Sequence, residues 1–135
     1  MRSTNGLLQA DVRPPVANGG PGGGSNLEQL FAAGYAACFQ SASGVVARRR
    51  EASVDGSTVT AKVTIGTTES GGFGLAATRD GHLPGIGDAT APELIGAAHG
   101  VCPYSNATRG DAEVTLAAVR DGRSFRSGIG RSLDR

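Results

Sequence analysis

One long segment, from Leu27 to about Val46, has almost no polar face. Its apolar residues fall on every side at helical spacing, which predicts an α-helix that must lie in the middle of a fold. Its alanines and Gly34 would let another helix approach closely. In a domain this small, one thin sheet can hardly cover such a helix on all sides. The pattern therefore favours a dimer in which two central helices pack together.

The residues before this helix predict where it begins. Ser25, followed three residues later by Glu28, fits a capping box with Ser25 as the N-cap. Residues 18–24 form a glycine-rich stretch without the Gly-Lys-Ser/Thr ending of a phosphate-binding loop, so they predict a connector. Residues 8–13 alternate apolar and polar, which predicts a half-buried strand that ends at Pro14-Pro15.

Downstream, the alternation of apolar residues predicts strands at 58–65, 73–82 and 113–119. A second helix is predicted from Thr90, capped with Glu93, to about Val101, where Pro103 stops it. This order predicts the α+β class, with an antiparallel sheet packed around the central apolar helix. Residues 1–119 would form one domain. The Arg-, Gly- and Ser-rich residues 120–135 are predicted to be a disordered tail.

Composition excludes several classes of function. The chain has 135 residues and a net charge of +1, with 4% aromatic residues and no Trp, so no nucleic-acid partner is expected. The longest apolar-rich stretch, Leu30 to Phe39, is short for a bilayer span, and no export signal follows Met1, which predicts a cytoplasmic protein without a membrane partner. His82 and His99 form no ligand-spaced cluster with the cysteines, so no bound metal or cofactor is predicted.

The two cysteines occupy different settings. Cys38 lies inside the apolar helix, where burial raises the pKa of a thiol, so a working nucleophile there would need a cation beside it. Cys102 follows a helix end, which suits a thiol that moves to meet a partner. If Cys38 were oxidised to a sulfenic acid, attack by Cys102 would leave a disulfide. Two inert buried thiols are the alternative on composition alone.

Two segments around these cysteines resemble a known family. The segment NLEQLFAAGYAACF, Asn26 to Phe39, closely resembles the first cysteine motif of the organic hydroperoxide resistance (Ohr) family, and AHGVCPYSNATRG, Ala98 to Gly110, resembles its second. Gly71 to Leu75 and Leu83 to Gly85 also look like the family. The resemblance covers about residues 3–119 and favours Ohr over its sister branch, the osmotically induced protein C type.

The resemblance implies a thiol peroxidase that reduces organic hydroperoxides, including those of fatty acids. Cys38 would be the peroxidatic thiolate and Cys102 the resolving thiol, and the disulfide would be reduced by dihydrolipoamide or a lipoylated protein. It also implies an OsmC/Ohr-like fold in an intertwined homodimer. Apolar residues near Cys38 would suit the substrate: Leu30, Phe31 and Phe39.

Glu28 matches the glutamate that helps to hold the family's catalytic arginine. Ten helical residues separate Glu28 from Cys38, roughly 15 Å of axial rise, so the two cannot meet on one straight helix. Either the helix breaks early, or a partner subunit supplies one of the two residues. Glu28 could also act only as a capping residue.

The chain departs from the family before its first matching strand. The activating arginine belongs to a Gly- and Arg-rich loop that this sequence lacks, as it lacks the usual first strand, and neither Arg2 nor Arg13 matches that arginine's position. Without a nearby cation, Cys38 would be mostly a thiol at neutral pH. Two alternatives therefore stand beside the peroxidase: a non-catalytic redox sensor or hydroperoxide-binding protein, and a weakened, truncated family member.

Overall fold

A computed structural model describes residues 1–110, 113–120 and 123–125. In chain order these residues form a short 3-10 helix (Val16–Asn18), one long helix, two strands, two helices and two strands, which confirms the α+β class. The helices and strands are α1 (Leu27–Arg49), β1 (Thr58–Thr67), β2 (Phe73–His82), α2 (Thr90–Val101), α3 (Pro103–Thr108), β3 (Glu113–Arg120) and β4 (Arg123–Phe125).

The sheet has the order β1-β2-β3-β4 and is mixed. β1 and β2 form an antiparallel hairpin in which Thr58 lies opposite His82, and β3 and β4 are also antiparallel. β2 and β3 run parallel, so the prediction of a wholly antiparallel sheet is wrong at this pair. The reason is the connection: α2 and α3 lie between the two strands, and a helical crossover brings the chain back in the same direction.

The first residues do not form the strand predicted at 8–13. Their pairing is limited to isolated bridges, Arg2 with Gln9 and Val12 with Ser25. Leu8 and Val12 are 55% and 46% exposed, so the alternating pattern here does not bury an apolar face against the described residues. Pro14 and Pro15 follow at once and cannot donate to a ladder, which limits the pairing further.

The helix caps differ from the prediction by one residue. The N-cap of α1 is Asn26, whose Oδ1 accepts from the Gln29 N–H at 2.9 Å while Gln29 Oε1 accepts from the Asn26 N–H at 3.2 Å. Ser25 and Glu28 are therefore not the capping pair. Ser25 with Glu28 and Asn26 with Gln29 both fit the sequence motif of a capping box. In a box that began at Ser25, the Ser25 N–H would donate to the Glu28 side chain, but it donates instead to Asp11 O at 2.7 Å.

α2 also begins differently from the prediction, and its end is confirmed. Thr90 is its first residue and not a cap, because the Thr90 and Ala91 N–H groups both donate to Gly87 O, which satisfies them without a side chain. The predicted capping box of Thr90 and Glu93 is therefore wrong. Pro103 follows the last turn of α2 as expected, and it also opens α3 as that helix's first residue.

Only one face of α1 is covered by the other residues that the structure describes. That face packs against α2 and the sheet, and its buried residues are Tyr35, Phe39, Ala42, Ser43, Val46 and Ala47. Ala33 and Ala37 are exposed, and Leu27 is 54% exposed. The 23 residues of α1 are long and apolar enough to cross a membrane by length and composition, contrary to the expectation from the sequence. The buried face shows that α1 is also the central helix of this fold.

The chain past residue 119 is not wholly without structure. β4 pairs with β3, with Phe125 opposite Ala118, so the predicted disordered tail is wrong for Arg123–Phe125. A strand edge presents unpaired N–H and C=O groups, and a short segment that follows β3 can satisfy some of them. The remainder of that prediction, residues 121–122 and 126–135, lies outside the described residues.

Replacing Leu94 by Ala tests the core. Leu94 is 0% exposed, so its truncation should lower the free energy of unfolding by about 3 kcal/mol through lost burial and a residual cavity. Urea denaturation measures the change. Leu7→Ala is the matched control because Leu7 is 88% exposed, and it should change stability by less than about 0.5 kcal/mol. Equal losses in both variants would contradict the packing described.

Candidate thiol site

The two cysteine sulfurs lie side by side. Cys38 Sγ, in the middle of α1, is 3.2 Å from Cys102 Sγ, between α2 and α3. Both cysteines are free, and 3.2 Å is well beyond the roughly 2.05 Å of a disulfide bond. Cys38 is half-buried, whereas Cys102 is 0% exposed. The structure therefore holds a reduced pair in which one sulfur faces outward and the other is enclosed.

Local sequence explains how Cys102 reaches this position. It is the C-cap of α2 and the N-cap of α3, with extended backbone angles of φ −65° and ψ 120°. A residue before proline favours this extended region over the helical one, so Pro103 turns the chain at Cys102. The Cys102 N–H donates to Ala98 O, and its carbonyl accepts from the Asn106 N–H, which fixes the residue in both helices.

A buried arginine lies beside the pair. Arg79, on β2, is 0% exposed, and it is one of the largest fully buried side chains among the described residues. One guanidinium nitrogen donates to Ser105 Oγ at 2.7 Å and another to His99 Nδ1 at 2.9 Å. The guanidinium carbon lies 4.1 Å from the ring centre of Tyr35 and 4.5 Å from that of Phe39, in cation–π geometry.

This arginine corrects the expectation that Cys38 has no cation nearby. Burial lowers the pKa of Arg79, and the neighbouring Tyr35, Cys102 and Cys38 oppose that shift. The charge of Arg79 in turn lowers the pKa of Cys38. The sequence carries a signal for it, because positions 75, 77, 79 and 81 form the inward phase of β2 and Arg79 is a charge where the alternation predicts an apolar residue. Ser105 and His99, which hold its guanidinium, have no comparable signal in the sequence.

The surroundings act differently on the two thiols. Burial raises the pKa of the Cys38 thiol above its ordinary value, and the neighbouring Cys102 adds to this; the Tyr104 N–H and the charge of Arg79 oppose it. For Cys102, burial alone would raise the pKa. Hydrogen-bonding groups outweigh this effect and bring the pKa of the thiol below its ordinary value; these groups are the Ser105 hydroxyl, the Ser105 N–H, the Cys38 thiol and the Tyr104 N–H.

His99 is a neutral hydrogen-bond acceptor here. Burial, with the nearby charges of Arg79 and Arg109, lowers its pKa to about 4. Because its Nδ1 accepts from Arg79, the ring proton belongs on Nε2. His99 thereby orients the guanidinium without adding a second positive charge at neutral pH.

An aromatic cluster borders the sulfurs. Phe31, Tyr35 and Tyr104 have ring centres 5.6 to 6.0 Å apart. Gly34 makes room for it, since a Cβ at that position would lie 3.1 Å from ring atoms of Tyr104. The Tyr35 hydroxyl donates to Ser105 Oγ at 3.3 Å. The cluster thus joins α1 to α3 beside the thiol pair.

The three predicted substrate residues differ in accessibility. Leu30 and Phe31 are half-buried and have surface to offer an apolar ligand. Phe39 is 1% exposed and packs under Arg79, so it supports the cation from inside the fold. A peroxide arriving from solvent has no exposed surface of Phe39 to contact.

Glu28 lies apart from the sulfurs in this chain. α1 is continuous from its first turn through Cys38, so the helix does not break early to bring the two together. Glu28 instead lines an apolar cavity of about 580 Å³ with Val12, Leu27, Ile65 and others. Its Oε2 is buried and has no hydrogen-bond partner among the described residues. A buried carboxylate oxygen without a donor is unfavourable, so this end of α1 is incomplete within the described chain.

No group of three His, Cys, Asp or Glu side chains within residues 1–110, 113–120 and 123–125 is arranged to hold a metal ion.

Comparison with known proteins gives a consistent result. Residues 20–117 match the family described as OsmC-like protein. The organic hydroperoxide resistance protein of Xanthomonas axonopodis pv. citri is 45% identical over 84% of this chain and 81% of its own length. OhrB of Bacillus subtilis is 42% identical over 84% of each chain. The crystal structure of an organic hydroperoxide resistance protein from Legionella pneumophila has a TM-score of 0.82 and 43% identity, covering 88% of this chain and 87% of that one.

Oxidation by one equivalent of a thiol oxidant should join the two cysteines within one chain. The sulfurs are already 3.2 Å apart, so both free thiols should disappear together without disulfide-linked dimers. Thiol titration under denaturing conditions and a non-reducing gel measure this. Cys38→Ser is the control, and its enclosed Cys102 should remain a free thiol. Covalent dimers as the main product would contradict the geometry.

Acid should destabilise the fold through His99. Its folded pKa of about 4 is below the unfolded value of about 6.5, so the unfolded state binds the proton first. The contribution to stability is complete above about pH 6.5 and is lost as the pH falls toward 4. Urea denaturation across this window, compared with His99→Asn, isolates the contribution, because Asn keeps an acceptor for Arg79 but does not titrate. Identical pH slopes in the two proteins would rule out this role.

Proposed function

Because the chain belongs to the OsmC-like protein family, and its relatives indicate a role in organic hydroperoxide resistance and the oxidative stress response, we propose that it is a thiol-dependent peroxidase that reduces organic hydroperoxides to alcohols. The observation that carries this proposal is the reduced pair of sulfurs 3.2 Å apart beside a fully buried arginine. A resting disulfide or two separated thiols would not support it.

Cys38 is the sulfur that meets the peroxide, since it is half-buried while Cys102 is enclosed. The Cys38 thiolate attacks the distal peroxide oxygen, so a sulfur–oxygen bond forms, the oxygen–oxygen bond breaks, and an alkoxide leaves and takes up a proton to become the alcohol. Cys102 then attacks the sulfenic acid at Cys38. A disulfide forms and water leaves.

The cation for the first step is Arg79. Its charge lowers the pKa of Cys38 and partly offsets the effect of burial. Arg79, on β2, thus supplies part of the activation of Cys38 that the resemblance assigns to the family's arginine. Because Arg79 is fixed by two hydrogen bonds and two aromatic rings, its charge is already in place when the peroxide arrives.

The substrate is an apolar hydroperoxide, such as that of a fatty acid. Leu30 and Phe31 are half-buried, and Tyr104 is 40% exposed, so together they offer apolar and aromatic surface beside Cys38. A dithiol of the dihydrolipoyl type, free or on a lipoylated protein, then reduces the disulfide by two exchange steps and leaves as its own cyclic disulfide. Two free thiols also suit the reducing cytoplasm.

The working form is a homodimer. The exposed Ala33, Ala37 and Leu27 leave one side of α1 without cover in a single chain, and a second copy of α1 would cover it. The unbroken helix keeps Glu28 away from Cys38 of its own chain, so a role for Glu28 in catalysis requires the thiol pair of the partner. A donor from outside the described chain would also satisfy its buried Oε2.

One observation favours a redox sensor over an enzyme. The pKa of Cys38 is raised, so a smaller fraction of this sulfur is the reactive thiolate at neutral pH. A sensor would be oxidised slowly and once, with no turnover.

A hydroperoxide-consumption assay separates the two. With cumene hydroperoxide and dihydrolipoamide, the protein should turn over many times, and Cys38→Ser should lose all turnover because no sulfenic acid can form. With the reductant left out, Cys102→Ser should consume one equivalent and stop at the sulfenic acid, since it cannot form the Cys38–Cys102 disulfide. Ser43→Ala changes a buried serine that bonds only to the Phe39 carbonyl, and it should keep full activity.

A folded protein that is oxidised once and never turns over would overturn the peroxidase and support the sensor. A cooperative thermal melt of each variant establishes folding before the assay.

A further inference from the structure

Tyr104 is the most exposed member of the aromatic cluster beside the sulfurs. It is 40% exposed, whereas Phe31 is half-buried and Tyr35 is 0% exposed. Its ring centre lies 6.0 Å from that of Phe31 and 5.8 Å from that of Tyr35, so one side of the ring packs into the cluster. The remaining surface of the ring is open to a molecule that arrives from solvent.

Gly34 lets this ring lie directly on α1. A Cβ at position 34 would lie 3.1 Å from both Cε2 and Oη of Tyr104, so the edge of the ring faces bare helix backbone. A larger residue at this position would have to displace the ring. Because glycine inside a helix is less favourable than alanine, a close contact of this kind gives Gly34 a physical reason to be there.

The ring and the outward sulfur share one face of α1. Cys38 follows Gly34 by four residues, which places both on the same side of the helix, about 6 Å apart along its axis. Side chains on a helix lean toward its N-terminus, so Cys38 Sγ lies over the turn that contains Gly34. From the other side, Cys102 Sγ, two residues before Tyr104, is 3.2 Å from Cys38 Sγ. Tyr104 therefore forms the wall of the site on the N-terminal side of the sulfur.

The helix α3 holds this wall in place. Ser105, the next residue, is 0% exposed, and its Oγ accepts from Arg79 at 2.7 Å. The Thr108 hydroxyl donates to Tyr104 O at 2.8 Å, and Thr108 Oγ1 lies 3.3 Å from the Tyr35 hydroxyl. The wall is thus formed before a substrate binds, so little conformational freedom is lost when a substrate packs against it.

We propose that Tyr104, seated on Gly34, is a specificity-determining residue that binds the organic group of the hydroperoxide whose distal oxygen reaches Cys38. This deepens the proposed function and rests on it in that Cys38 reacts with hydroperoxides. The chemical step is the same for any peroxide: a sulfur–oxygen bond forms, the oxygen–oxygen bond breaks, and an alkoxide or hydroxide leaves and takes up a proton. Hydrogen peroxide has no apolar group to contact the ring, so the ring favours organic hydroperoxides over it.

The test compares two peroxides in a single oxidation without reductant. The second-order rate constants for thiol loss with cumene hydroperoxide and with hydrogen peroxide are measured by titrating the remaining thiols at set times. In Tyr104→Ala, the ratio of the cumene hydroperoxide constant to the hydrogen peroxide constant should fall roughly tenfold, as expected when one apolar contact in a pocket is lost. Tyr104→Phe keeps the ring and should keep the ratio. A purely structural role would slow both oxidations together and leave the ratio unchanged.

Gly34→Ala tests the seat of the ring. Its Cβ should displace Tyr104 and lower the same ratio, by less than Tyr104→Ala does. Gly44→Ala is the matched control, because it is the same change in the same helix and its Cβ would meet Arg48 Nη1 at an ordinary 3.5 Å. It should keep the ratio. In a Tyr104→Ala background, Gly34→Ala should have no further effect, since it acts through the ring.

An unchanged ratio in a folded Tyr104→Ala protein, or a ratio that rises because the ring obstructs Cys38, would overturn the proposal and leave the peroxidase intact. Equal ratios in Gly34→Ala and Gly44→Ala would also count against it. A protein that is oxidised once, never turns over with dihydrolipoamide and still shows the expected ratios would contradict the peroxidase and keep the role of Tyr104. Reaction with neither peroxide would contradict both. If Tyr104→Ala lacks a cooperative thermal melt, Gly34→Ala and its control decide.

Discussion

The burial of one positive charge organises the interior of this protein. Arg79 extends from β2 between the rings of Tyr35 and Phe39 on α1 and reaches His99 on α2 and Ser105 on α3. All three α-helices of the described chain therefore contribute a contact to the same guanidinium. The contacts that hold this guanidinium also set α1 against the junction of α2 and α3, which brings the two sulfurs together. Stability and chemistry depend here on the same set of contacts.

Periodicity and spacing predicted the main elements but not how they join. The all-apolar run predicted α1, and strict alternation predicted β1 and β2, because these signals repeat over many residues. The parallel pairing of β2 with β3 depends on where the crossover helices pack, which no local pattern contains. The cap of α1 was misassigned by one residue, since Ser25 and Asn26 fit the same motif and only the hydrogen bond from the Ser25 N–H to Asp11 separates them.

The candidate site was predicted in part. The motifs identified Cys38 and Cys102, and the fold brings them into contact. Arg79 was missed because its closeness to the sulfurs follows from tertiary packing, although its place in the inward phase of β2 was visible in the sequence. Glu28 was named from resemblance, and one chain leaves it a long way from Cys38 along a continuous helix. Its role, like those of the cysteines and of Leu30 and Phe31, remains a prediction.

The position of the cysteines in the chain has a consequence for the oxidised molecule. They are 64 positions apart, and the segment between them contains the whole β1–β2 hairpin and α2. Closing a loop of this size removes conformational freedom from the unfolded chain, an effect of about 4 kcal/mol in the chain-entropy description. The reduced pair places no such restriction on the unfolded chain. Oxidation at a site inside the fold would therefore make the whole segment between the cysteines harder to unfold.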